Sequence, residues 1–292
     1  MPSFTLETEH GLISVTDTGL KGDGPALLLI HGNSSSSKVF RHIIDSQAIT
    51  AKWRIIAFDL PGHGASSNAP DPDKSYSMRG YADLAVHILQ HLNITSVAVL
   101  GWSLGGHVGI EMVPLLASTS SPHIEMKGLM ITGTPPALGK AQMRAGFNLP
   151  PEAADGDLGL PGKKDWSEEE AQAVAKFSAA AGKEDLFEEW MLNDARRTDG
   201  RARVMMSTKF AGGDGVDQRK VVEVADDVLL AVVNGGNEPF VNLDYLDGLK
   251  CKNLWKGKCM RMEGLQHAPF WEKPTDFESV LLEFMADCAG EN

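Results

Sequence analysis

Short apolar runs bounded by glycine, proline and polar turns alternate along this chain with stretches in which apolar residues recur every three or four positions. Phe4 to Leu6 and Leu12 to Val15, turned at His10-Gly11, predict an opening hairpin. Ala26 to Ile30, Arg54 to Phe58, Val97 to Leu100, Gly128 to Thr132 and Val228 to Val233 have the composition of buried strands, and Lys258 to Met262 is a shorter candidate. Between them, Tyr81, Leu84, Ala85, Ile88, Leu89 and Leu92 recur at helical spacing, and His107 to Val113 reads as helix. Pro274 sits where a first helical residue belongs, and Phe277, Val280, Leu281, Phe284, Met285 and Cys288 make one apolar face behind it. Strands alternating with helices predict an α/β fold with a mostly parallel, eight-stranded sheet and right-handed crossovers. A site in such a sheet lies at the C-terminal edge of the strands.

The pattern changes between Pro135 and Lys220. Proline and glycine open this stretch (Leu149-Pro150-Pro151, Leu160-Pro161-Gly162), helical spacing runs from Ser167 to Ala181 and from Leu186 to Phe210, and Gly212-Gly213-Asp214-Gly215 closes it. Its length far exceeds an ordinary loop. The expectation is a core domain made of residues 1–134 and 221–292, with a helical cap, or lid, inserted at 135–220. Most of the large apolar residues of the cap hold it together, and a few line a pocket.

Composition narrows the function. A chain of 292 residues, 42% hydrophobic and 23% charged, buries a sizeable core. The net charge of -12 repels a phosphate backbone and an anionic membrane alike. Met-Pro-Ser-Phe-Thr lacks the marks of a secretory signal, and no apolar run approaches membrane-spanning length, so a cytoplasmic protein is expected. Cys251, Cys259 and Cys288 form an odd set without metal-type spacing and are expected to be reduced and structural. There are no internal repeats.

One short stretch carries chemistry: Gly101-Trp102-Ser103-Leu104-Gly105, between a strand and a helix. Strand, G-x-S-x-G and helix in that order describe a nucleophile elbow, which lifts a serine hydroxyl above the sheet edge. Ser103 is the candidate nucleophile. The glycines permit a strained turn and a close helix–strand approach, and the helix N-terminus points N–H groups at the place where an oxyanion forms.

A serine hydroxyl needs a base, and neutral imidazole serves near pH 7. In this architecture an acid follows a later strand and a histidine follows the last one. Glu238 lies one short turn beyond Val228 to Val233, and His267 lies in the loop after Lys258 to Met262. Glu238 would hold the ring of His267 and stabilise its cation. Asp226 and Asp227 precede the strand, Asp244 comes several residues later, and Thr132 to Pro136 holds no carboxylate. Asp226, Asp227 and Asp244 remain the alternatives to Glu238.

Among the other histidines, His31, His63 and His107 sit in glycine-rich turns and are expected to make structural hydrogen bonds. His87 and His91 are spaced i,i+4 on a helix but lack the metalloprotease glutamate, so no metal and no cofactor are expected. The oxyanion hole is expected from the N–H groups of Leu104 and Asn33. The Asn33 side chain either reaches the substrate or only shapes its turn. Asn33, Trp102, Phe147, Phe177, Met206 and Phe240 are the candidate substrate contacts.

These motifs have a family likeness. HGNSSS from His31, DLPGHG from Asp59, SYSM from Ser75, GWSLGGH from Gly101, GLMITGTPP from Gly128, RTDGRAR from Arg197, VVNGGNEPF from Val232 and HAPF from His267 cover most of the core and little of the cap. The chain resembles the AidH-type N-acyl-homoserine lactonases of the α/β-hydrolase superfamily, which open the lactone ring of bacterial quorum-sensing signals without a metal. The resemblance implies that Ser103, Glu238 and His267 form the triad and that Asn33 belongs to the oxyanion loop. Glutamate is the less usual acid in the superfamily and favours this subgroup. The family's cap tyrosine has no counterpart, since the tyrosines here are Tyr76, Tyr81 and Tyr245, and the nearest cap match is Phe177. The implied activity is metal-independent serine lactonase, with a carboxylesterase or other lactonase, and a ligand receptor on a hydrolase scaffold, as the alternatives. The expected partner is a small acyl lactone or ester, with no nucleic acid and no membrane, for a monomer or homodimer.

Overall fold

Each apolar run that reads as a strand is one in the computed structural model, which describes residues 3–19, 24–118, 123–149 and 159–291. The strands are β1 (Ser3–Thr8), β2 (Gly11–Asp17), β3 (Ala26–Ile30), β4 (Ile55–Phe58), β5 (Ser96–Trp102), β6 (Glu125–Thr132), β7 (Leu229–Gly235) and β8 (Met260–Met262). They make one eight-stranded sheet in the order β1-β2-β4-β3-β5-β6-β7-β8. β1 pairs with β2, and β2 with β4, antiparallel; the remaining pairs are parallel.

The longer helices are α1 (Met78–His91), α2 (Leu104–Ser118), α3 (Gly139–Gly146), α4 (Glu168–Ser178), α5 (Glu189–Arg197), α6 (Gly200–Gly212), α7 (Gln218–Val224) and α8 (Pro274–Ala289). Every residue of β3 and β4 is buried, because helices cover both faces of the sheet. Successive strand residues point to opposite faces. Leu28, Ile30, Ile56 and Val99 therefore pack with residues of α1 and α2, while Leu27, Leu29, Ala98 and Leu100 pack with Phe277, Leu281 and Phe284 of α8. Burying each of those large side chains stabilises the fold by roughly 1.5–3 kcal/mol. Among the described residues, no helix is long and apolar enough to cross a membrane.

The segment between β6 and β7 departs from the reading of periodicity. The helical spacing from Leu186 to Phe210 is two helices, not one. Thr198 ends α5, and the Asp199 carboxylate accepts the Arg201 N–H to cap α6. α3 was not expected, since Gly139–Gly146 buries only Met143 and Gly146 and carries no apolar stripe. α4 begins at a full capping box between Ser167 and Glu170. Pro150 and Pro151, read as the opening of the cap, lie outside the described residues. The helices dock on the sheet edge through polar contacts. Asp194 accepts from Ser36 and Lys38, Arg197 donates to Gly62 O, and Asp199 accepts from the Tyr76 hydroxyl.

Candidate active site

The site begins at the turn between β5 and α2. Ser103 has φ +53°, a left-handed conformation that a non-glycine residue adopts only under constraint. The constraint is visible: its N–H donates to Thr132 O at 2.8 Å, and its carbonyl accepts from Thr134 Oγ1 at 2.8 Å. A Cβ at Gly101 would lie 2.4 Å from Gly105 O, and one at Gly105 would lie 1.9 Å from Ile30 O. Only hydrogen fits at either position, so the two glycines set the separation of helix and strand.

Glu238 follows β7, and His267 follows β8. The His267 Nδ1 lies 2.8 Å from Glu238 Oε2 and 3.0 Å from Oε1, and both side chains are buried. Glu238 Oε1 also accepts the Phe240 N–H at 2.8 Å, which fixes the carboxylate from its own loop. With Nδ1 turned to the acid, Nε2 is the ring nitrogen left for proton exchange. Asp244, by contrast, is almost fully exposed and pairs with Arg261. Room for the imidazole comes from Gly133, where a Cβ would meet His267 Cε1 at 2.6 Å. Its backbone is held by Trp102, whose indole Nε1 donates to His267 O at 2.9 Å.

The loop after β3 is set by a second histidine. Leu60 N–H donates to His31 Nε2 at 3.0 Å, so Nδ1 carries the proton and donates to Gly32 O at 2.7 Å. Burial pushes the His31 pKa down, which keeps that neutral tautomer. In a trans peptide the carbonyl and the next N–H point in opposite directions. Holding Gly32 O against His31 therefore turns the Asn33 N–H away from it. The Leu104 N–H stands in the first turn of α2, where no intrahelical acceptor exists. The Asn33 side chain is engaged elsewhere: Nδ2 donates to Pro161 O at 2.7 Å.

These groups open onto a cavity of about 690 Å³. Asn33, Ser103, Leu104, Phe147, Met206, Phe240 and His267 all line it. Two expected contacts do not. Trp102 is 1% exposed and lies beside His267 and Phe270, inside the core. Phe177 is 55% exposed and turns away, because Val174 and Ser178, spaced i,i+4 on α4, present the face that meets the cavity. The wall also includes Phe210, one of the large apolar residues of the expected cap, and Met78, Leu160 and His107, which the sequence does not mark as contacts. His107, at the start of the stretch read as helix, is on α2 about one helical turn beyond Ser103. Its position four residues after the nucleophile was the available signal.

A strand-ordered serine, acid and histidine on such a sheet define a class. The sequence profile of the alpha/beta hydrolase fold matches residues 25–274, and the chain belongs to that family. It is similar to the solved N-acyl homoserine lactonase AidH complexed with N-butanoyl homoserine, with 44% identity, a TM-score of 0.87, and coverage of 99% of this chain and 97% of that one. A serine-to-glycine mutant of AidH complexed with N-hexanoyl homoserine lactone is 43% identical with a TM-score of 0.88, covering 99% of both chains. The magnesium-chelatase 30 kDa subunit of Rhodobacter capsulatus is 39% identical over 98 residues, 34% of this chain. That match spans about a third of the relative's length, at 33%.

Proposed function

We propose that this protein is a metal-independent serine hydrolase that opens the lactone ring of N-acyl-homoserine lactones. The observation that carries the reading is that His267, paired with the buried Glu238, lines one largely apolar cavity together with Ser103. The likeness to AidH over nearly the whole chain supports the substrate class. In this reading Ser103 Oγ attacks the ring carbonyl carbon and His267 Nε2 takes its proton, while Glu238 holds the imidazolium. The Leu104 and Asn33 N–H groups hold the oxyanion. Collapse of the tetrahedral intermediate breaks the bond to the ring oxygen, which takes the proton from His267. The hydroxyl so formed stays tethered to the acyl-enzyme, so reclosure competes with hydrolysis. Water activated by His267 then releases the ring-opened hydroxy acid.

Residues 135–220 act as the cap in this reading and choose the substrate. Met206, Phe147 and Phe210 offer the acyl chain an apolar wall, which needs contact and no charge. The test is turnover of N-acyl-homoserine lactones of several chain lengths against aryl esters of equal chain length. Lactone turnover at least comparable to the esters is expected. Fast ester cleavage beside negligible lactone opening would refute the lactonase reading in favour of a carboxylesterase.

A further inference from the structure

We infer that His107 is a specificity residue of this cavity, its Nε2 accepting the amide N–H of the acyl lactone, so that lactones bearing a secondary amide are selected over those without one. The inference deepens the lactonase reading and rests on it. His107 lines the cavity between the rings of Phe210 and Phe147, with centroids 4.8 Å and 5.9 Å away. Four residues along a helix is about 6 Å. The amide nitrogen of such a lactone is two bonds from the carbonyl carbon that Ser103 would attack, and both Ser103 and His107 line the cavity that would hold it.

The ring presents an acceptor for a reason that can be traced. Its Nδ1 lies 2.7 Å from Oε1 of Gln218, a fully buried residue at the start of α7. An amide oxygen only accepts, so the ring nitrogen that faces it must donate. Nδ1 therefore carries the proton, and Nε2 keeps its lone pair. Burial pushes the His107 pKa down to about 4, so the ring is neutral at physiological pH. Nε2 takes no partner among the described residues, and unlike His63 Nε2 it is not sealed from solvent. On a side chain 4% exposed, its open side is the cavity.

Other side-chain donors of the wall are engaged within the protein. Asn33 Nδ2 donates to Pro161 O, Asn148 Nδ2 to Val241 O, and Ser178 Oγ to Val174 O. His107 adds a nitrogen acceptor set between two aromatic rings, and a substrate that leaves it unpaired loses binding.

The experiment compares kcat/KM for N-hexanoyl homoserine lactone with that for the isostere in which a methylene replaces the amide N–H. The native protein is expected to prefer the amide by about tenfold or more. His107→Phe, which keeps the ring packing, is expected to lose about 10- to 100-fold on the amide and less than about threefold on the isostere. Gln218→Leu frees the ring and is expected to shrink the same preference. Equal losses on both substrates, or a native protein without the preference, would overturn the inference while lactone opening still stood. The native comparison decides it even where a variant fails to fold. A native protein that opens neither lactone but cleaves the matched aryl ester overturns the lactonase reading, and this inference with it.

Discussion

The indole Nε1 of Trp102 donates to the backbone carbonyl of His267 at 2.9 Å, so the residue beside the proposed nucleophile holds the loop that carries the proposed base. Their rings also meet, with centroids 5.5 Å apart. Removing that donor while keeping an aromatic body isolates the link. Trp102→Phe leaves a buried carbonyl unpaired, at about 1–3 kcal/mol of stability. It is expected to lower kcat by about tenfold with KM little changed, as steady-state kinetics on a lactone would show; unchanged kcat would mean that the loop holds its place without the indole.

Glu238 meets both the His267 imidazole and the Phe240 N–H. Glu238→Gln keeps an acceptor for Phe240 but removes the charge that stabilises an imidazolium. Turnover is expected to fall on the order of 10³- to 10⁴-fold, with the melting temperature close to that of the native protein. A loss below tenfold would assign the acid role to another carboxylate.

Acid should destabilise the fold through its interior histidines. Burial lowers the pKa of His31, brings His63 to about 3 and brings His107 to about 4, against an unfolded value near 6.5. Below pH 6.5 the unfolded chain binds protons that the folded one does not, so stability falls as pH falls. Each such group costs up to about a tenfold loss in the folding constant per pH unit, until the folded pKa is reached. Urea midpoints at pH 7, 6 and 5 are expected to drop progressively, and a flat profile would contradict neutral burial. Above pH 7 these histidines add no dependence.

The elbow tolerates no methyl group. Gly105→Ala would place a Cβ 1.9 Å from the Ile30 carbonyl, in backbone that cannot move without separating β3 from α2. Overpacking of this kind costs typically 1–3 kcal/mol or more. The variant is expected to show a melting temperature several degrees lower by calorimetry, or to fail to accumulate as folded protein.

The central strands were legible because a strand covered on both faces is a continuous apolar run, as at Ala26–Ile30. Order along the chain then placed Glu238 and His267 at the ends of neighbouring strands, and that proximity follows from parallel pairing. What stayed hidden depends on partners distant in sequence. Gly139–Gly146 forms α3 without an apolar stripe, and the break at Thr198-Asp199 is set by capping where helical spacing reads straight through. The orientation of an aromatic residue is of the same kind. Phe177 and Val174 share a helix, and which of them meets the cavity is decided by how α4 docks. Trp102 carries no signal in its own segment that its indole serves a carbonyl 165 residues away. His107 likewise gains its part in the wall from Gln218, which reaches α2 from beyond the helices that follow β6.

The central claim is that Ser103, strained at φ +53° at the end of β5, is the nucleophile of a lactonase. The most direct measurement is opening of N-hexanoyl homoserine lactone by Ser103→Ala, beside its binding of the same ligand by calorimetry. Turnover is expected to fall by at least about 10³-fold while affinity stays within a few-fold of the native value. Lactone opening retained in Ser103→Ala would contradict the account.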